Sequence, residues 1–133
     1  MATSPNYAAT PTVGAAMLTT GDTSRTAPSN VGTIFTPGSL GGSVERIVIQ
    51  PVATTTASTV RIFRYDGSAY HLYAEVALPA LTATGSAPVP NQTLEAVDTP
   101  NLMPIAIPAN WSLRATVNDT QTGVQIQAEG GSY

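Results

Sequence analysis

The sequence predicts an all-β fold, a two-sheet antiparallel β-sandwich of the jelly-roll or a related Greek-key type. Three observations predict it. Apolar and polar residues alternate in short runs, turn residues separate these runs, and no segment of ten residues carries the apolar stripe of a helix. Several connections are too long for hairpins, which favours two sheets joined by crossovers over an up-and-down barrel.

The length of 133 residues leaves room for one domain with a real core but not for two of ordinary size. We predict a single sandwich domain over residues 31–133, preceded by an extended N-terminal arm or first-strand region over residues 1–30. The start of this arm either frays or orders against a neighbouring subunit, with Tyr7 as its only large side chain.

The first strong strand follows a short one. Gly32 to Thr36 is a short predicted strand, and Pro37 to Gly42 is rich in turn residues. Ser43 to Ala53 is then predicted as a strand whose run Ile47-Val48-Ile49 is apolar on both faces, as in a strand inside a sheet. Pro51 donates no ladder hydrogen bond and indicates a bulge or an edge position.

The clearest pattern is Thr59 to Ala77, which we predict to be a β-hairpin. A three-residue loop at 65–67 pairs Val60 with Leu72 and places Gly67 where the turn needs a left-handed residue. The predicted core side then consists of Val60, Ile62, Tyr70, Leu72, Ala74 and Val76. The opposite side carries Arg61, Phe63, His71, Tyr73 and Glu75.

The C-terminal third contains three further predicted strands and one apolar run. Gln92 to Val97 is the first of these strands, and Leu102 to Ile107 is an apolar run interrupted by Pro104. Trp111 to Asn118 alternates cleanly, and this alternation points Trp111 inward. Thr122 to Glu129 repeats the same pattern.

Composition excludes several classes of function. The chain has no cysteine, which excludes disulfides, zinc-thiolate sites and thiol catalysis. It also has no lysine, and its five arginines stand against eight acidic residues for a net charge of −3, which argues against a nucleic-acid groove. The absence of a membrane-span run and of a signal-peptide pattern leads us to expect a soluble, unsecreted protein with no membrane partner.

Catalytic motifs are also missing. The single histidine, His71, reads as an ordinary surface residue, because no nucleophile motif such as G-x-S-x-G accompanies it. The carboxylates are isolated in sequence, and neither an Asp-rich calcium loop nor a Gly-rich phosphate loop is present. We therefore predict a protein that is not an enzyme, with no catalytic residue, no metal and no cofactor.

The outer side of the hairpin is the remaining positive signal. Its aromatic residues beside arginine and histidine resemble the composition of protein interface cores. We predict a protein interface formed by Tyr7, Arg61, Phe63, His71 and Tyr73. The alternative is that loops of the same domain bury both sides of the hairpin.

The stretch from Ser43 to Gln127 resembles a family of phage proteins. The segments that carry the resemblance read ERIVIQ, TVRIFRYDGSAYHLYAEVALPA and LMPIAIPANWSLRATV. They are similar to the cement, or decoration, proteins of tailed double-stranded DNA bacteriophages, which have a jelly-roll fold.

The resemblance implies a role and no particular site. We expect a virion protein on the outer capsid surface that bridges major capsid protein subunits, as a dimer or trimer, and clamps the shell against internal pressure. The alternative is a glycan-binding module of a phage tail or head appendage, in which loops at one end of the sandwich hold sugar.

Overall fold

The predicted all-β sandwich is confirmed by the structure, a computed structural model that describes residues 10–95 and 103–133. No helix occurs within these ranges. The described strands are β1 (Thr10–Leu18), β2 (Gly32–Phe35), β3 (Gly42–Pro51), β4 (Ser58–Tyr65), β5 (Tyr70–Leu78), β6 (Gln92–Glu95), β7 (Ile105–Ile107), β8 (Ser112–Val117) and β9 (Val124–Ser132).

The strands form two antiparallel sheets. Sheet A has the order β1-β9-β3-β6, with β7 also paired to β3, and sheet B has the order β2-β8-β4-β5. Strands that follow one another in the chain, such as β1 and β2, β3 and β4, and β8 and β9, lie in different sheets. The chain therefore crosses repeatedly between the sheets, an arrangement compatible with a jelly roll.

Aliphatic side chains fill the space between the sheets. The alternation predicted for β8 and β9 is observed, since Leu113, Ala115 and Val117 are fully buried, as are Val124 and Ile126. Other members of this core are Ile34, Ile47, Ile49, Val60, Ile62 and Ile105. Burial of apolar area of this kind supplies the main stabilisation available to a chain without disulfides.

The turn of the hairpin differs from the predicted one. Tyr65 pairs directly with Tyr70, so the loop contains four residues, 66–69, rather than the three predicted at 65–67. Asp66 holds this turn together, because its Oδ1 accepts hydrogen bonds from the backbone N–H groups of Ser68 (2.9 Å) and Ala69 (2.7 Å). Gly67 has a φ of 101°, as its predicted left-handed position requires.

The predicted strand register is also wrong: Val60 pairs with Val76 and not with Leu72, because the loop lies at 66–69 and a β-bulge adds one residue. Ile62 pairs with Ala74 and Phe63 with Leu72, so Tyr73 is the extra residue. Beyond the bulge, Ala74 faces the core as predicted. Between the turn and the bulge, the two faces of β5 are exchanged relative to the prediction. Leu72 lies on the outer side of sheet B with 40% exposure, while Tyr73 packs against the core.

The strand β1 forms the edge of sheet A and pairs with β9 from Thr10 to Leu18. It also approaches β2 closely, since a Cβ added to Gly14 would meet the backbone carbonyl oxygen of Ile34 at 2.1 Å. The N-terminal region from residue 10 is thus a strand of the sandwich. Tyr7 lies outside the described residues.

Candidate binding surface

The outer face of sheet B, which points away from the core, is divided into two halves. In one half, which we call the covered half, residues 19–31 fold over Arg61. The other half, which we call the open half, carries Tyr65, Tyr70, Leu72 and Arg114 next to the turn at 66–69. The halves differ in burial and in charge pairing.

The loop at residues 19–31 is organised by Asp22. Its Oδ2 accepts hydrogen bonds from the backbone N–H groups of Ser29 (2.7 Å) and Asn30 (2.9 Å), and its Oδ1 accepts one from Ser24 (3.0 Å). These bonds, with that of Asn30 foremost, lower the pKa of the Asp22 carboxyl below its ordinary value. The loop is attached to sheet B because the Asp22 N–H donates to the carbonyl oxygen of Val117 (2.7 Å).

Arg61 is the buried charge of the covered half, with 3% exposure. Its Nε donates to Glu75 Oε1 (2.9 Å), and its Nη1 donates to Asn118 Oδ1 (2.9 Å) and to the carbonyl oxygen of Asp22 (3.3 Å). Hydrogen bonds from Arg61 and then from Arg25 lower the pKa of Glu75. Arg61 is thus satisfied within the chain.

Arg114 in the open half has a different environment. Its Nε donates to Ser112 Oγ (3.1 Å) and its Nη1 to the Tyr70 hydroxyl (3.0 Å). Its guanidinium carbon lies 4.0 Å from the centre of the Tyr65 ring, a cation–π contact. Within the described part of the chain, no carboxylate lies within ion-pairing distance of Arg114, whereas Arg25, Arg46 and Arg61 each pair with a glutamate.

A cleft of about 490 Å³ opens beside Arg114 at this end of the sandwich. Three segments form its walls: β8 with the turn before it, the start of the β4–β5 turn, and the loop after β2. Its lining includes Thr33, Thr36, Tyr65, Asn110, Trp111 and Arg114. Asn110 adopts a φ of 68°, a left-handed conformation that asparagine tolerates, and this turn sets Trp111 at the rim of the core.

Trp111 is fixed from its other side by the hairpin. Its indole stacks on the His71 ring with centroids 5.5 Å apart and planes 17° apart. His71 Nε2 lies 2.9 Å from Asp66 Oδ2, and this contact, followed by the backbone N–H groups of Ala69 and Ser68, lowers the pKa of Asp66. The cleft therefore has a preformed wall.

The predicted interface residues do not form one surface. Arg61 and Phe63 lie on the outer face of sheet B but are buried, with 3% and 0% exposure. His71 and Tyr73 lie on the opposite side, where His71 contacts Trp111 and Tyr73 carries Arg64 over its ring. Tyr7 lies outside the described residues, and an interface role for these residues stays a prediction.

Sequence reasoning missed the residues that line the cleft. Arg114 was assigned to the outward side of its strand, and Trp111 to the inward side, with no signal that the two meet. One signal in the sequence was the distribution of aromatic residues. Most of them lie in the segment 63–73 or at position 111, which the topology brings to one end of the sandwich.

Comparison with known proteins does not identify the chain. No protein-family model matches it, and no curated protein matches it. Among residues 10–95 and 103–133, no group of three or more His, Cys, Asp or Glu side chains could hold a metal ion. That same part of the chain contains no helix long and apolar enough to cross a membrane.

Proposed function

We propose that this chain is a non-enzymatic structural protein that binds the outer surface of a phage capsid and stabilises the shell by bridging major capsid protein subunits. The role follows from the resemblance to jelly-roll cement proteins. The observation that carries it here is the open half, where the half-buried side chains of Tyr65, Tyr70 and Arg114 share one face with the exposed Leu72. The cleft lined by Trp111 opens beside them. Tyrosine, tryptophan and arginine dominate the energetics of protein interfaces.

The open half is suited to docking because its side chains are already ordered. Tyr65 and Tyr70 pack with ring centroids 4.4 Å apart, and Phe63 meets Tyr70 edge to face at 5.8 Å. Binding to a rigid surface costs less side-chain entropy than binding to a mobile one. The face has no lysine, one of the residues whose immobilisation costs the most side-chain entropy.

A clamp needs a second contact, and the edge of sheet A offers one. Val13 and Met17 on β1 are 66% and 51% exposed, and β1 leaves one side of its backbone unpaired within the described sheet. Two contacts on different subunits reinforce each other, because the first raises the effective concentration of the second. We propose a homo-oligomer that multiplies these contacts further.

The test is a count of this chain in purified native particles, relative to the major capsid protein. We expect comparable copy numbers, and we expect particles stripped of this chain to become fragile. A copy number limited to a tail or to a single vertex would contradict the cement role.

A substitution then tests the surface. We expect Leu72→Ser to weaken rebinding to stripped particles, because Leu72 is the exposed aliphatic side chain of the proposed contact. Leu40→Ser is the control, since Leu40 is an exposed apolar residue, at 73%, in the loop before β3 and belongs to neither proposed contact. Equal rebinding by both variants would remove the open half from the proposal.

A glycan-binding module of a phage appendage is the second candidate. The cleft favours it, because aromatic rings and short polar side chains line the same concave surface. A low copy number in the particle would favour this candidate over the first.

A further inference from the structure

We propose that the cleft beside Arg114 binds a saccharide unit that carries a carboxylate, such as a hexuronic acid. The inference deepens the glycan-binding candidate and does not rest on attachment to a capsid. It follows from three properties of the cleft: an arginine without an acidic partner, fixed aromatic rings and short polar side chains.

The guanidinium of Arg114 is held in place, but only some of its N–H donors form hydrogen bonds. Of the five N–H donors of an arginine, one on Nε binds Ser112 Oγ and one on Nη1 binds the Tyr70 hydroxyl. No described residue binds the remaining three. The Tyr65 ring beneath the guanidinium holds its plane, so these donors offer the forked geometry that a carboxylate prefers.

Arg114 differs from the other arginines of this acidic chain. The chain carries a net charge of −3, and three of its arginines are committed to glutamates. Arg64, the other arginine without a described acidic partner, donates to the carbonyl oxygen of Ala106 and lies over Tyr73. Arg114 is the arginine that also lines the cleft.

The rest of the lining fits a sugar ring. A pyranose presents apolar C–H groups that pack on an aromatic ring and hydroxyls that need short donors and acceptors. Trp111 supplies the ring, and Thr33, Thr36 and Asn110 supply hydroxyl and amide groups. The Asn110 amide forms no hydrogen bond with the described residues, so it is available to a ligand.

A phosphate ligand and a carboxylate on a peptide fit this lining less well. Phosphate sites in nucleic-acid grooves rest on several clustered basic residues, and the cleft has one. An acidic peptide would gain little from the hydroxyl-rich wall formed by Thr33 and Thr36. The volume of about 490 Å³ lies within the range of small-ligand pockets.

Trp111 makes the test direct, because it is the only tryptophan of the chain and lines the cleft. The full-length protein is titrated with methyl glucuronoside, neutral methyl glucoside, acetate and a glutamate-rich tetrapeptide, with tryptophan fluorescence and NMR amide shifts as readouts. We expect saturable binding of the glucuronoside, with shifts centred on 110–114. We expect the glucoside to bind at least about tenfold more weakly, because it lacks the charge-assisted hydrogen bonds.

The matched variants are Arg114→Gln and Arg46→Gln. Arg46 is also a surface arginine, but it pairs with Glu95 and Glu129 on sheet A. We expect the first variant to lose at least about tenfold in glucuronoside affinity and the second to bind normally. If the first variant fails to fold, Arg114→Lys replaces it, and weakened binding is expected because lysine lacks the planar fork.

Several results would overturn the proposal. These are no binding of the glucuronoside, equal affinity for the glucuronoside and the neutral sugar, equal affinity for acetate, and unchanged binding by the Arg114 variants. Binding of the peptide without binding of the glucuronoside would assign the cleft to a protein partner instead. None of these results changes the particle count that tests the cement role.

Discussion

Arg61 and Arg114 lie on the same outer face of sheet B, on the adjacent strands β4 and β8, yet their environments are opposite. Arg61 is 3% exposed and is bonded to Glu75, Asn118 and the Asp22 carbonyl oxygen. Arg114 is half-buried, and its described partners are two hydroxyls and aromatic rings. Arg61 is bonded to the residues that cover it, whereas Arg114 has N–H donors without a described hydrogen-bond partner.

The difference comes from the loop at residues 19–31, which covers one half of the face only. A charge that a loop buries must be paired, because an unpaired buried charge is strongly destabilising. A charge at an open cleft can remain unpaired, since water satisfies it until a ligand arrives. The loop therefore explains why Arg61 is fully paired and Arg114 is not.

The largest expected effect on the free energy of unfolding is the difference between substitutions of Phe63 and Leu72, which pair across β4 and β5. Phe63 is fully buried and Leu72 is 40% exposed. We expect Phe63→Ala to lower the free energy of unfolding by about 3–4 kcal/mol and Leu72→Ala by less than about 1 kcal/mol. Urea unfolding measures both, and similar losses would contradict the assignment of Phe63 to the packed interior of this face and of Leu72 to its exposed surface.

In the covered half we expect a smaller change in the free energy of unfolding, and this change is stabilising. The Thr116 hydroxyl is fully buried and has no hydrogen-bond partner within the described structure. Thr116→Val keeps the shape and removes the unsatisfied group, so we expect a gain of about 1 kcal/mol in unfolding free energy. Thr33→Val is the control, because Thr33 is exposed on its strand. No gain in unfolding free energy for Thr116→Val, or an equal gain for Thr33→Val, would contradict this account.

The smallest effect is a loosening of the loop in acid. The folded state lowers the pKa of Asp22 and of Glu75, so the stability that these carboxylates contribute is present above their ordinary pKa values. It declines as the pH falls below about 4 and is lost as the pH passes through the lowered folded-state values. Acid should therefore open the covered half first.

Hydrogen exchange at the Ser29 and Asn30 amides, which donate to Asp22, measures this opening. After correction for intrinsic exchange rates, we expect their protection to fall on acidification while that of Ile126 in the core persists. Asp22→Asn should abolish most of the pH dependence. Protection of these two amides that stays constant down to strongly acidic pH would refute the role of Asp22.

The strands could be predicted from the sequence because their cause is local. The alternation in 111–118 and 122–129 reflects one apolar face per strand, and β8 and β9 follow it with Leu113, Val117 and Val124 in the core. The two-sheet class followed from this pattern together with connections too long for hairpins.

The candidate binding surface could not be predicted in the same way. One extra residue, Tyr73, exchanges the two faces of β5 near the turn, and strict alternation gives no sign of a bulge. The burial of Arg61 depends on Asp22, 39 residues earlier in the chain. The cleft combines Thr33, Tyr65 and Trp111 from three segments that meet only after folding.

The most direct test of the division is to compare the unfolding free energies of Arg61→Gln and Arg114→Gln in urea. We predict a loss of about 2–3 kcal/mol for Arg61→Gln, because the change leaves buried polar partners unsatisfied. We predict a loss of no more than about 1 kcal/mol for Arg114→Gln, whose contacts are half-exposed. Equal losses, or a larger loss for Arg114→Gln, would contradict the account that the fold depends on the contacts of Arg61 and not on those of Arg114.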